Sequence, residues 1–171
     1  LANMTVVAGN YADSRGILER CGIRHVDGIL LDLGFSSWHV DGAGQGFSFH
    51  KNEPLDMRYD RQGGGETAET VVNDRSQDEL ERLICDYGEE RFARRIAARI
   101  VDERRQRPLT FTVDLARLVA ETVPRRAWPR RIHVATRTFQ ALRIAVNDEL
   151  QALTRGLRDA VSLLAPTGRL C

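Results

Sequence analysis

The stretch Val26-Asp-Gly-Ile-Leu-Leu-Asp32-Leu-Gly-Phe-Ser-Ser37 constrains the fold more than any other part of the chain. A short apolar run that ends in a carboxylate and then a glycine-bearing loop reads as a buried strand leaving its sheet. Ahead of it, Met4-Thr-Val-Val-Ala8 is a β-prone run. Asp13 to Cys21 carries Ile17, Leu18 and Cys21 at helical spacing, with Gly22 placed to close the helix. Strand, helix and strand in so short a span form a βαβ unit, which makes the strands parallel. Asp32 then stands at the carboxyl edge of the sheet, where open α/β sheets bind their ligands.

From Asp41 to Gly65 the regular pattern dissolves among Gly42, Gly44, Gly46 and Gly63 to Gly65. Two apolar islands, Gly46-Phe-Ser-Phe49 and Pro54-Leu-Asp-Met-Arg58, predict a long loop with buried anchors rather than a free linker. A helical block follows. Ser76 with Glu79 forms a capping box, and Leu80, Leu83, Ile84 and Tyr87 make one apolar face that Gly88 breaks. Phe92, Ile96 and Ile100, with Ala93, Ala97 and Val101 beside them, make the next face, ended by Pro108. Thr112 is placed to cap a third helix that turns Leu115, Leu118 and Val119 inward. After the basic stretch Arg125 to His133, the residues Phe139, Leu142, Val146, Leu150, Leu153, Leu157 and Leu164 mark the inner face of one long helix. Pro166-Thr-Gly168 then turns the chain toward another strand. The layout is a sheet domain over 1–40 and 137–171, with an inserted loop-plus-helical domain over 41–136.

Composition excludes little. The 171 residues carry a net charge of +1, and Lys51 is the only lysine among the basic residues. Arginine suits phosphate and planar acceptors, although a GC-rich genome gives the same bias. Cys21, Cys85 and Cys171 have no zinc spacing and read as small core residues in a reducing compartment. No histidine and acid spacing suits a metal, and no apolar run is long enough to span a bilayer. These features point to a cytoplasmic chain with neither metal nor membrane partner. Leu1 runs almost at once into a strand and Cys171 ends at the start of one, so the sequence reads as a fragment of a longer protein.

The exocyclic amine of a nucleobase is a poor nucleophile because its lone pair is delocalised into the ring. An enzyme that methylates it needs acceptors for the amine hydrogens and a surface on which the base can stack. Asp32, the Leu33 carbonyl and Phe35 form such a set, although amino-methyltransferases commonly have two prolines where Leu33 and Gly34 stand. An acid that merely caps a strand-to-loop turn fits Asp32 equally well. Arg125, Arg126, Arg130, Arg131 and Arg137, with Trp128 between them, suit phosphate contacts and base stacking; a solvated linker is the other reading. Arg91, Arg94, Arg95 and Arg99 are a less specific candidate for such contacts; an exposed helix face paired with Glu89 and Glu90 is the other reading.

Five collinear blocks make a more specific statement than any of these alone. They are Asp27 to Ser37, Gly46 to Phe49, Pro54 to Arg58, Tyr87-Gly-Glu-Glu-Arg-Phe-Ala-Arg-Arg-Ile96 and Thr136-Arg-Thr-Phe-Gln-Ala-Leu-Arg-Ile-Ala-Val-Asn-Asp-Glu-Leu150. Together they resemble the bacterial ribosomal RNA small subunit methyltransferase H family, also called MraW. The resemblance implies an α/β, Rossmann-like class I methyltransferase core, partial here, with an inserted all-helical domain. It implies S-adenosyl-L-methionine as cofactor and the N4 amine of a cytidine in 16S rRNA of the small ribosomal subunit as substrate. It places Tyr11 where the family has a Phe beside the adenine, and Asp32 at the family's acid. His39 falls where the family usually has Gln, and Trp38 replaces the usual Pro. The family's glycine-rich cofactor loop and its Ser-Phe-His-Ser segment fall outside the chain, so the isolated fragment is expected to be inactive. A non-enzymatic RNA-binding module, or a DNA cytosine-N4 methyltransferase, are the alternatives that the residues leave open.

Overall fold

The computed structural model describes residues 3–34 and 44–171. It divides into two compact units, Leu1–Gly34 with Asp148–Cys171, and Phe35–Asn147. The first is a sheet unit: a 3-10 turn Tyr11–Asp13, α1 (Ser14–Arg20), β1 (Val26–Ile29), α7 (Glu149–Leu163) and β2 (Leu164–Leu170). The second is helical: α2 (Ala68–Asp74), α3 (Gln77–Gly88), α4 (Ala93–Arg104), α5 (Thr112–Thr122), a 3-10 turn Arg125–Ala127, and α6 (Thr136–Val146). Mixed helices and parallel strands agree with the α/β class read from sequence.

In the sheet unit β1 pairs with β2 in parallel. The ladder runs on past the strand end, where Cys171 N–H donates to the Ile29 carbonyl and Leu31 N–H to the Cys171 carbonyl, each at 2.9 Å. Pro166-Thr-Gly168 does not turn the chain into a strand but lies inside β2. It is absorbed where Val26 to Gly28 on one strand faces Leu164 to Arg169 on the other, an irregular register that suits a residue lacking an N–H. The expected strand Met4–Ala8 does not form. Among the described residues it has no ladder partner, and Val6 is 80% exposed. β-propensity becomes a strand only where a neighbouring backbone receives its polar groups. Nor is β1 buried: Asp27 and Gly28 are exposed, Val26 and Ile29 are half-buried, and Leu30 just beyond it is 79% exposed.

In the helical unit one core gathers Leu55 and Met57 from the loop with Val71, Leu80, Ile84, Ile96, Ile100, Leu115, Val119 and Leu142 from the helices. The capping box forms as the sequence predicts, with Glu79 N–H on the Ser76 hydroxyl and Ser76 N–H on the Glu79 carboxylate. The Ser76 hydroxyl also donates to the Glu79 carboxylate at 2.6 Å, and this bond, followed by the one from Ser76 N–H, holds the Glu79 carboxyl below its usual range. Helix α2, capped by Thr67, has no counterpart in the sequence reading, because it lies at the edge of the glycine-rich stretch.

Gly88 ends α3, as the sequence reading expects, and Glu89 takes the left-handed cap (φ 49°). A Cβ on Gly88 would lie 2.6 Å from the Arg137 carbonyl oxygen, so glycine is there to let α3 and α6 approach. Thr112 is the first residue of α5 rather than its cap. Its buried hydroxyl donates to the Lys51 carbonyl and accepts from Glu53 N–H. The single long helix is two, α6 and α7, broken at Asn147–Asp148 with Asp148 at φ 49°. α6 packs against α3 inside the helical unit, although the sequence layout groups it with the sheet. After the break the inward face of α7 is Ala152, Gly156, Ala160 and Leu163, while Leu150 and Leu157 are exposed. Finally, Cys21, Cys85 and Cys171 are free and exposed, not core residues. They sit at a helix end, on the outer face of α3 and at a strand end.

Candidate functional site

In the sheet unit Asp32 follows directly on Leu31, the last residue of the parallel ladder, and its side chain is exposed. Leu33 is also exposed, with its carbonyl next along the chain. Phe35 and His39, the other two residues expected at this edge, lie outside the described residues. Tyr11 opens the 3-10 turn that Asn10 caps by accepting Ala12 N–H at 2.9 Å. Its ring lies against α7 at Gly156, where a Cβ would come within 2.6 Å of the ring. Burial, and then the Glu149 carboxylate, push the Tyr11 phenol up, so it remains a hydrogen-bond donor at neutral pH.

In the helical unit the loop from Gly44 is closed on itself. Gly46 N–H donates to the buried Glu53 carboxylate at 2.9 Å, and Met57 N–H to the Gln45 carbonyl at 2.8 Å. Gly46 has φ 77° with the Pro54 carbonyl beside it, a place no side chain fits. Met57 is 1% exposed yet takes φ 62°. A non-glycine residue in that region persists only where its surroundings over-determine it. Here they do. Asn147 donates to the Met57 and Arg143 carbonyls at 2.8 and 2.9 Å and accepts Tyr59 N–H at 2.8 Å. Beside Met57, Arg58 grips Asp56 through two hydrogen bonds of 2.7 and 3.0 Å and holds that carboxyl below its usual range. Two of the sequence blocks, Pro54–Arg58 and Thr136–Leu150, are therefore one structural feature, joined through Asn147.

This closed loop aims rings at α6. Phe49 stacks on His133 (centroids 4.7 Å) and meets Phe139 edge-on at 5.1 Å, and Phe47 stacks on Tyr59 at 5.6 Å. His133 accepts Ala135 N–H at Nδ1, and partial burial followed by the charge of His50 lowers its pKa. Trp128 is tied down as well: its indole N–H donates to the Val123 carbonyl at 3.0 Å, and the Arg125 guanidinium covers its ring at 4.2 Å. Arg125, Arg126, Arg130 and Arg131 are exposed. Arg137 is spent in part on the Glu89 carbonyl at 3.0 Å. On α4 the expected pairing with Glu89 and Glu90 does not form. Arg91 and Arg95 lie over the Phe92 ring, Glu90 is buried and accepts Phe92 N–H, and Arg99 pairs with Glu103. Among the described residues no cluster of His, Cys, Asp and Glu suits a metal ion, and no helix is long and apolar enough to cross a membrane.

A family model described as the MraW methylase family matches residues 1–171. The chain belongs to this family. It is 50% identical over 170 residues to a protein of Deinococcus deserti named ribosomal RNA small subunit methyltransferase H, an alignment that covers 99% of this chain and 55% of that protein. Proteins of the same name in Geobacter sulfurreducens and Syntrophotalea carbinolica are 52% and 54% identical, over 95% of this chain and 52% and 51% of their own lengths. The chain thus spans about half the length of the curated MraW relatives it matches. The sequence reading expects Asp32, Leu33 and Tyr11 at a site and names His133 only among the arginines of the basic stretch; it does not single out Asn147 and Glu53, which hold the loop. The signal for the last group was present only in the apolar islands, which demanded an anchor without naming it.

Proposed function

We propose that this chain forms part of an S-adenosyl-L-methionine-dependent methyltransferase that acts on the N4 amine of a cytidine in 16S rRNA of the small ribosomal subunit, in the cytoplasm. Membership of the MraW family along the whole chain, with Asp32 at the carboxyl end of a parallel strand, is the observation that carries this reading. In the same reading the sheet unit is part of a Rossmann-like methyltransferase core, and the helical unit is a domain inserted in it along the chain.

The residues present fit the cofactor. Gly156 leaves the space that the Tyr11 ring fills, which presents an aromatic face for an adenine, and Asp32 offers an exposed carboxylate. His39 would add a hydrogen-bond donor. When bound, S-adenosyl-L-methionine supplies an electrophilic methyl group. The chain's own part is to prepare the nucleophile. Asp32 and the Leu33 carbonyl accept the two amine hydrogens, which turns the nitrogen lone pair out of the ring, and Phe35 stacks on the base. Arg125, Arg126, Arg130, Arg131 and Arg137 hold phosphates, with Trp128 as their anchor.

The test is transfer of labelled methyl to small subunits lacking the mark, using the full-length gene product. Asp32→Ala is expected to reduce turnover by about 100-fold or more, the scale of losing one preorganised partner of the reacting group. Wild-type turnover in both Asp32→Ala and Asp32→Asn would refute the assigned role.

A further inference from the structure

One aromatic ring at the entry to α4 carries two arginines. The Arg91 guanidinium lies over the Phe92 ring, 4.6 Å from its centroid, and that of Arg95 lies 6.0 Å from it. Arg94 is exposed on the next position, and Arg137 arrives from α6, held by its bond to the Glu89 carbonyl. Of this group the methyl-transfer reading above uses only Arg137. We propose that Arg91 and Arg95, mounted on Phe92, grip the phosphodiester backbone of the RNA strand and give the helical unit a second RNA contact, in addition to the stretch 125–131.

The mount comes first. Phe92 packs against the helical core. Its N–H donates to the buried Glu90 carboxylate at 2.9 Å, and its carbonyl accepts Arg95 and Ile96 N–H at 2.9 and 3.0 Å. The ring is therefore a fixed platform. A guanidinium over a ring is attracted through its face, which leaves the N–H groups in its plane free to donate. Ordering these long side chains in advance lowers the entropy lost on binding. Charge comes second. The carboxylates near at hand do not neutralise the pair. Glu90 is 6% exposed and engaged by Phe92 N–H, while Glu89 and Asp86 are exposed. The ion pairs of the described residues involve none of Arg91, Arg94 and Arg95, whereas Arg99, one turn along α4, pairs with Glu103 at 3.0 Å. The ligand comes third. Guanidinium groups bind phosphate oxygens through paired, parallel N–H bonds. Two of them on one ring serve one phosphate, or two successive phosphates of a strand. The same device recurs in the helical unit, where Arg125 covers the Trp128 ring at 4.2 Å. Arginines without carboxylate partners at both places favour a long polyanion over a single acidic side chain.

The proposal rests on RNA being the substrate in the reading above, and its test is kept apart from methyl transfer. Fluorescence anisotropy of labelled oligocytidylate and oligoadenylate, each of about 12 nucleotides, is measured against the full-length gene product over a range of salt, with no cofactor added. Arg91→Gln and Arg95→Gln are each expected to weaken binding about fivefold, the upper end for one exposed ion pair. Each should also flatten the plot of log affinity against log salt by about 0.7, the value for one phosphate contact on a single strand, and the double variant should lose both contacts. The losses should be equal on the two oligomers, because a phosphate carries no base identity. Phe92→Leu keeps both charges but removes the platform, and should weaken binding about threefold with the slope kept. Arg117→Gln, at an arginine paired with Asp114 on α5, should change neither quantity. The substituted arginines are exposed, so the variants leave no buried group unpaired and should keep the wild-type circular dichroism. A double variant with wild-type affinity and slope overturns the clamp, as does equal flattening in Arg117→Gln or a loss confined to one oligomer. Loss of binding to an oligoglutamate peptide with RNA affinity untouched also overturns it, in favour of an acidic protein. A wild-type slope in the double variant alongside methylated small subunits would leave the proposed activity standing. A flattened slope without methyl transfer by the wild type would do the reverse.

Discussion

Asn147 is the residue on which the helical unit's loop depends. Its amide makes three hydrogen bonds of 2.8 to 2.9 Å, two donated to the Met57 and Arg143 carbonyls and one accepted from Tyr59 N–H. A typical hydrogen bond contributes about 1 kcal/mol net, and unpaired buried groups cost more. Asn147 is half-buried, so water recovers part of the loss, and Asn147→Ala should cost about 2 kcal/mol. Asn147→Asp separates this account from a simple loss of packing. It keeps an acceptor for Tyr59 N–H but puts a carboxylate oxygen where the amide nitrogen faced two carbonyl oxygens. It should cost at least as much as alanine despite its matching shape. With a slope of about 2 kcal/mol/M, a urea titration followed by helical circular dichroism should show a midpoint about 1 M lower for either variant. Hydrogen exchange at the Tyr59 amide should accelerate in Asn147→Ala and not in Asn147→Asp. A wild-type midpoint for Asn147→Asp would refute the reasoning, because two facing acceptors cannot substitute for a donor.

Glu53→Ala should destabilise by about 1 to 3 kcal/mol, by leaving Gly46 N–H unpaired in a buried loop, whereas Glu53→Gln keeps an acceptor and should cost less than half as much in the same titration. Gly46→Ala should cost about 2 to 4 kcal/mol in thermal or urea unfolding, since φ is 77° and the new Cβ would lie 2.3 Å from the Pro54 carbonyl oxygen. The hydrogen bond from Arg58 lowers the Asp56 pKa, so the folded state binds this proton less readily than the unfolded state. The stability this contributes is present above the unfolded Asp value of about 4 and is lost as pH falls through the depressed folded value. The gap in urea midpoint between wild type and Asp56→Asn should therefore shrink from pH 5 to pH 2.5, and a constant gap would count against the pair.

The sequence by itself determined what is local. The Ser76–Glu79 capping box, the apolar faces of α3, α4 and α5, and the position of Asp32 at the end of β1 each follow from residues within a few places of one another. The five collinear blocks fixed the family for the same reason, since they are read along the chain. Tertiary structure alone decided where a pattern stops. Phe139 to Leu164 reads as one helix by period, yet it breaks at Asn147, whose side chain serves Met57, 90 positions earlier. Gly88 reads only as the end of a helix, and is also a point of close approach to the Arg137 carbonyl. Thr112 reads as a cap and instead ties down a loop 61 positions away. Met4–Ala8 reads as a strand and finds no ladder among the described residues. In the first three cases the deciding partner is a backbone group brought near by folding, and in the last such a partner is what the described residues lack; a hydrogen bond or a steric limit across such a separation leaves no periodic trace in the sequence.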